Sequence, residues 1–288
     1  MEYFLDMDKR FSLYENASVV LLPVPYDGTS TFVKGADKGP QAIIDASDSI
    51  ELYDIEEDIE IYTCGIHTAK PIEDMFSPEI MVNSVYERVK AYLQDDKMVC
   101  VLGGEHSVTC GAVKAYSEKY NKLSVLQLDA HADLRDEYQN SPYNHACVMK
   151  RVQDMLETIV QVGIRSVAEE ERKNIVNENI FYAHLIYNND TWMQKAIDKL
   201  SDNVYLTIDL DCLDPSILPS TGTPLPGGMS WYQMWTFLDK LIRQKNVVGF
   251  DVVELCPNPA DKSADVLAAV LVYKLITKLQ KQHLKHLG

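Results

Sequence analysis

The sequence predicts a three-layer α/β/α domain around a central, mostly parallel sheet of about eight strands. Three observations predict it. Short β-rich runs alternate with helical patterns along the chain, as parallel strands joined by crossovers require. Several of those runs, such as MVCVL at 98–102 and NVVGFDVV at 246–253, are nearly continuously apolar, which suits strands covered by helices on both faces. No repeat, low-complexity tract or Gly/Ser-rich linker interrupts the 288 residues, so 1–288 is expected to form one domain.

Taken in order, the first strand is the apolar run Ala17–Val24, followed by a helix over Pro40–Leu52 and a β-rich run at Ile59–Thr63. The next helix, Pro78–Leu93, has an N-cap pair in Ser77-Pro78 and apolar positions Val82, Val85, Val89 and Leu93 at helical spacing. A strand at Met98–Leu102, a helix at Ser107–Tyr120 and a strand at Leu123–Leu128 follow. Strands are then expected at Thr158–Val162 and Ile180–Tyr182, a helix at Thr191–Leu200 and a strand at Val204–Ile208. Ser230-Trp231 caps a helix at Trp231–Gln244, and strand Val247–Val253 and helix Ser263–Leu284 complete the pattern.

Charge narrows the partners. The chain carries 27 basic and 43 acidic residues, a net of −16, which disfavours nucleic acid and anionic membranes and is compatible with a cationic substrate. The N-terminal MEYFLDMDKRF has no apolar signal region, and no run approaches the roughly 20 apolar residues of a membrane span. A cytoplasmic location is expected. Six cysteines, at 64, 100, 110, 147, 212 and 256, form no C-x-x-C pair and read as reduced core thiols. Cys147 and Cys212 lie beside residues singled out below and are expected to line a site without acting in it.

In such sheets ligands bind beyond the carboxyl ends of the strands. After 98–102 comes GGEHS with His106; after 123–128 come Asp129, His131 and Asp133; after 204–208 come Asp209 and Asp211; the last strand delivers Glu254. Spacing of two puts side chains on one side of extended chain, so the residues of each set can converge. Four aspartates in one cleft repel one another and become hard to ionise. Two divalent cations remove that cost and also account for His106 and His131, which ligate as neutral imidazoles. The set is rich in oxygen and lacks thiolate, which argues for harder ions than a structural zinc, manganese first. Two such ions can bridge a water and activate it at neutral pH. Asp214-Pro215 reads as turn chemistry, and His67, His184, His283 and His286 as surface or packing residues.

These residues resemble a known family. GGEHSVT, LDAHADLRDEY and TIDLDCLDPSILPSTGTPLPGG are similar to the three signature segments of the ureohydrolases, the arginase/agmatinase family. PVPYDGTSTFVKGADKGPQAI resembles the agmatinase N-terminal loop and first helix, and FDVVELCP the last-strand segment, so the likeness runs from Ala17 to about Leu279. The resemblance implies an arginase-like fold with an eight-stranded parallel sheet, two Mn²⁺ per chain, hydrolysis of a guanidino group to urea, and assembly as a homo-oligomer, a trimer or hexamer. Carried over by motif, one manganese takes His106, Asp129, Asp133 and Asp209, the other Asp129, His131, Asp209 and Asp211. Glu254 would pair with the substrate guanidinium, Asp133 would accept a hydrogen bond from the attacking oxygen, and His145 in YNHAC would deliver a proton to the leaving amine.

Within the family DLRDEYQNSPYNHACVMKR resembles bacterial agmatinases. The arginase Asn two residues after the third Asp is Arg135 here, and PYNHA replaces the arginase S-G-N-x-H element. Both absences point to agmatine, cleaved to putrescine and urea, with guanidinobutyrate or arginine as nearby alternatives. CPNPADKSADVLAA departs from the agmatinase pattern, being one residue longer before Asp261 and having Asp265 where Thr is usual. Metal-dependent deacetylases share this general fold, but His131 and the D-x-D of Asp209 and Asp211 argue for two metals. A non-catalytic metal-binding protein would be favoured by a missing ligand, and none is missing.

Overall fold

The structure is a computed structural model and describes residues 3–287. Met1, Glu2 and Gly288 of the expected 1–288 domain, and the side chain of His286, lie outside the described residues. Eight strands are present: β1 Val19–Val24, β2 Ile66–Thr68, β3 Met98–Gly103, β4 Leu123–Leu128, β5 Ile159–Ile164, β6 Ile180–Tyr182, β7 Asn203–Asp209 and β8 Asn246–Val253. They form one sheet in the order β2-β1-β3-β8-β7-β4-β5-β6, and every pairing is parallel. The helices are α1 Gly39–Ala46, α2 Pro78–Gln94, α3 Thr109–Lys119, α4 Val148–Met155, α5 Ala183–Ile186, α6 Thr191–Lys199, α7 Trp231–Gln244 and α8 Ser263–Leu287.

Strand alternation divides the core into two layers. Val19 and Leu21 of β1 pack with α1, α6, α7 and α8 on one face, while Val20, Leu22 and Val24 pack with α2, α3 and α4 on the other. Both faces are covered, which is why the strands read as apolar runs. Ser77 and Ser230 do cap their helices, accepting from the backbone N–H of Ile80 and Gln233.

The strand order creates the site. The chain leaves β3, skips two places to β4, runs outward through β5 and β6, and returns to fill the gap with β7 and β8. The carboxyl ends of β3, β8, β7 and β4 therefore stand side by side, where the connections diverge. Register does the rest. Leu128 pairs with Ile208 and Asp209 with Val253, so Asp129, Asp209 and Glu254 emerge next to one another.

Three expectations are corrected. The run Ile59–Thr63 is not a strand: Asp54 and Ile59 close a turn, Ile61–Cys64 forms a 3₁₀ turn, and Gly65, at φ 79°, redirects the chain into β2. The first helix ends at Ala46 instead of Leu52, because Ser47 bonds back to the Ile44 carbonyl and Ser47–Ser49 tightens into a 3₁₀ turn. Helix α4 was not expected; its first turn follows His145–Cys147 directly.

Candidate metal centre

Each functional side chain leaves the end of a strand and is held there by its own backbone. His106 follows β3 through Gly103 and Gly104. A Cβ on Gly104 would meet the Tyr26 carbonyl oxygen at 2.0 Å, so only glycine lets this turn press against the loop after β1. Asp129 follows β4 and Asp209 ends β7. The D-x-H-x-D and D-x-D spacings do converge, but not by simple extended alternation. Asp133 reaches the cluster through a left-handed backbone, φ 53°, and Asp211 through a 3₁₀ turn at Leu210–Cys212 that Asp209 caps. Glu254 is likewise left-handed, φ 68°, and its side chain accepts the His106 backbone N–H at 2.9 Å.

The result is two triads sharing one residue, His106–Asp129–Asp209 and Asp129–His131–Asp211, each with ligand atoms within 4.8 Å of one another. His106 Nδ1 lies 3.1 Å from Asp129 Oδ2, 3.2 Å from Asp133 Oδ2 and 3.4 Å from Asp209 Oδ2. His131 Nδ1 lies 3.0 Å from Asp211 Oδ2 and 3.6 Å from Asp129 Oδ1. All six expected ligands are thus brought together.

Do these residues fit metal ions? His106 Nδ1 is buried and has no hydrogen-bond partner, although three carboxylate oxygens surround it. One nitrogen cannot serve three acceptors, whereas a cation between them satisfies all four atoms. The donors are carboxylate oxygens and imidazole nitrogens, the chemistry of a divalent cation of intermediate hardness. Electrostatics agree. Burial, then the charges of Asp211 and Asp129, push Asp209 well above the carboxylate range, and burial followed by Asp129 raises Asp133. Burial also opposes ionisation of Asp129, but hydrogen bonding to His106 and His131 outweighs it and holds that carboxyl down. So much negative charge in one buried place calls for cations.

Around the triads runs a layer of buried polar residues that spacing did not reveal. Gln127 Nε2 donates to Asp129 Oδ2 at 2.6 Å and is itself held by Gln161 Nε2, also at 2.6 Å. Thr207 Oγ1 lies 2.8 Å from His106 Nε2 and donates to Asp251 Oδ1 at 2.6 Å. Arg165 Nη2 donates to the backbone oxygens of Asp211 and Leu225, fixing the D-x-D loop. The available signal was a polar residue inside an apolar strand, as for Gln127, Gln161, Thr207 and Asp251.

The remaining expected site residues stand across a cleft of ≈ 190 Å³ lined by Thr31, His131, His145, Asp209, Thr223 and Glu254, among others. His145 Nδ1 is 3.9 Å from Glu254 Oε1. The His145 backbone N–H donates to Thr29, whose hydroxyl donates to the buried Glu105, so the loop after β1 anchors His145. Burial, then the positive charge of His131 and His106, pushes the His145 imidazole down to about 4. Burial also raises Glu254.

Other expected residues stay outside the site. Asp214 accepts from Ser216, Gly227 and Gly228 and serves its turn. His67 bonds the Ser12 carbonyl. All six cysteines are unpaired; Cys100, Cys110, Cys147 and Cys212 are buried, and Cys64 and Cys256 are half-buried. Asp265 is buried in the first turn of α8, paired with Lys262 at 2.9 Å, and does not line the cleft. Among the described residues no helix is long and apolar enough to cross a membrane.

Paired carboxylate–histidine triads at the carboxyl edge of an all-parallel, eight-stranded α/β/α sheet define the class: an enzyme of the arginase-like fold with a site able to hold metal ions. The chain belongs to the arginase family, whose family model matches residues 17–277. It is 37% identical to an N(1)-aminopropylagmatine ureohydrolase of Synechocystis, covering 91% of this chain and 89% of that protein. A Thermus thermophilus protein of the same name is 40% identical, covering 91% and 90%. The crystal structure of the agmatine ureohydrolase of Thermoplasma volcanium superposes with a TM-score of 0.89 at 30% identity, over 99% of this chain and 97% of that one. The chain is accordingly a guanidino-group hydrolase, as the motif resemblance implies.

Proposed function

We propose that this ureohydrolase cleaves the guanidinium end of agmatine, giving putrescine and urea, with two Mn²⁺ held by His106, Asp129, Asp133, Asp209 and by Asp129, His131, Asp209, Asp211. The observation that carries the reading is Glu254, a carboxylate held at the cleft between His106 and His145. Bound cations would supply a water activated at neutral pH and offset the charge of the four aspartates.

The chain's own residues do the rest. Glu254 suits a planar guanidinium through two parallel hydrogen bonds, which fixes its carbon in place. A cation arriving beside Glu254 also relieves the cost of its buried charge. Hydrolysis joins a water oxygen to the guanidinium carbon and breaks the bond from that carbon to the alkyl-bearing nitrogen, so protons released from the water must reach the departing amine. Asp133, which lines the cleft beside His106, would accept a hydrogen bond from the incoming oxygen. Burial disfavours the charged form of His145, and a neutral imidazole can take a proton on one ring nitrogen and pass one from the other.

The substrate's far end supports agmatine over arginine. Arg135, which lines the cleft, is committed: its Nη1 donates to Glu170 at 2.6 Å and its guanidinium lies 4.3 Å above the Tyr138 ring. A second reading, N(1)-aminopropylagmatine, is favoured by the names of the Synechocystis and Thermus relatives. Assembly as a trimer or hexamer and a cytoplasmic location, suited to six unpaired cysteines, belong to the same proposal. Urea release from agmatine, N(1)-aminopropylagmatine, arginine and 4-guanidinobutyrate, with Mn²⁺ added, tests it. Urea from none of them overturns the reading, and the highest kcat/KM names the substrate.

A further inference from the structure

Asp251 is the least explained residue in the core. It sits fully buried inside β8, which is otherwise apolar beyond the exposed Asn246. Among the described residues no lysine or arginine pairs with it. Its partners are hydroxyls: Thr207 donates to Oδ1 at 2.6 Å and Tyr205 to Oδ2 at 2.8 Å, with the Thr109 hydroxyl and the His106 ring also close by. A buried carboxylate without a cation is costly, and an apolar side chain at this position would be more stable. The site must gain something from it.

The direction of the hydrogen bonds shows what. Thr207 has one hydroxyl proton, and the ionised Asp251, which can only accept, draws it away from His106. The Thr207 oxygen then faces His106 Nε2 at 2.8 Å as an acceptor, with the Thr109 hydroxyl 3.4 Å away. His106 Nε2 must therefore carry a proton, and in the neutral imidazole the other nitrogen, Nδ1, is left with its lone pair free. Nδ1 is the atom aimed at Asp129, Asp133 and Asp209. Were the Thr207 proton free to turn toward Nε2, His106 could take the other tautomer, with a proton on Nδ1 where a cation must bind.

We propose that Asp251 and Thr207 are positioning residues that hold His106 in the tautomer that can ligate a metal at Nδ1. The inference rests on the reading that the triads hold metal ions. It predicts an asymmetry, because among the described residues no such chain of hydroxyl and carboxylate reaches His131: only the ion on the His106 side depends on Thr207.

The test is Mn²⁺ binding to the full-length, metal-free protein, followed by the EPR signal of free Mn²⁺, in wild type, Thr207→Val, Thr207→Ser and Asp251→Asn. Wild type is expected to bind two ions. Thr207→Val should weaken one of them about 10- to 100-fold, the usual effect of losing such an outer partner, and leave the other unchanged. Thr207→Ser, which keeps the hydroxyl, should restore wild-type binding. Asp251→Asn should fall between wild type and Thr207→Val, since a neutral amide oxygen holds the threonine proton less strongly. The second ion is the internal control: a merely structural role would lower both affinities together and would not be rescued by serine. Equal binding by wild type and Thr207→Val, or equal weakening of both ions, overturns the inference alone. Wild type that binds no Mn²⁺ overturns the metal reading and this inference with it.

Discussion

His145 Nδ1 stands 3.9 Å from Glu254 Oε1, although the two residues come from distant segments of the chain. His145 begins the 3₁₀ turn before α4, while Glu254 follows β8 with a left-handed backbone. In the proposed reading both adjoin the substrate guanidinium, which gives them separable roles. His145→Ala should lower kcat by about 10²-fold or more, in the range of general acid–base catalysis, while both metals are retained. Glu254→Gln should lower kcat/KM by roughly 10- to 100-fold through loss of a charge-assisted pairing. Steady-state rates measured beside metal content separate the two. Full activity of His145→Ala would remove its proposed part in proton transfer.

Asp129 is the residue both triads share, and its two oxygens face different histidines. Asp129→Asn should abolish turnover and weaken retention of both ions. Cys212→Ala is the comparison, since Cys212 is one position from Asp211 and fully buried in the apolar layer. It should lose at most ~1–2 kcal/mol of stability, through a small cavity, and keep substantial activity. Comparable loss of activity in the two variants would show that the thiol does more than pack.

Metal removal should be visible in stability as well as rate. Bound only by the native state, an ion present at a hundredfold excess over its Kd stabilises by about 2.7 kcal/mol. Here the effect has a local cause: without cations, Asp209 and Asp133 are forced toward protonation by burial and by their neighbours' charge. Dialysis against a chelator should lower Tm by several degrees, and Mn²⁺ should restore it. A Tm indifferent to both treatments would mean that the triads bind no ion.

How far the sequence foretold this site depends on distance along the chain. The convergence of the six candidate ligands was legible because three short motifs follow apolar runs, and a parallel sheet sends every such end to one edge. The means of convergence were not legible: the left-handed turn at Asp133 and the 3₁₀ turn at Asp211 replace extended alternation. Short elements were misplaced where local cues competed. Ile59 and Ile61 resemble a strand, yet Gly65 turns the chain so that β2 starts at Ile66. The outer polar layer depends on strand order. Thr207 meets Asp251 only because β7 lies beside β8, and Thr29 meets Glu105 across 76 residues. No spacing rule within one segment contains those pairs.

Arg135 decides the last prediction, the preference for agmatine over arginine. Both substrates offer the same guanidinium to Glu254 and differ at the far end, where arginine adds a carboxylate. A free guanidinium at the mouth could pair with that group. Arg135 is instead bonded to Glu170 and stacked on Tyr138, so it offers little to a newcomer without first giving up both partners. Burying the amino acid head without partners is costly, and a chain of net charge −16 repels a carboxylate at long range. Agmatine should therefore exceed arginine by about tenfold or more in kcat/KM, a gap of roughly 1.4 kcal/mol. Glu170→Gln should narrow that gap, because it loosens Arg135 from its ion pair and lets it turn toward a carboxylate. Equal use of the two substrates by the wild-type enzyme would refute the preference. A gap that is present but unmoved by Glu170→Gln would place its cause elsewhere in the cleft.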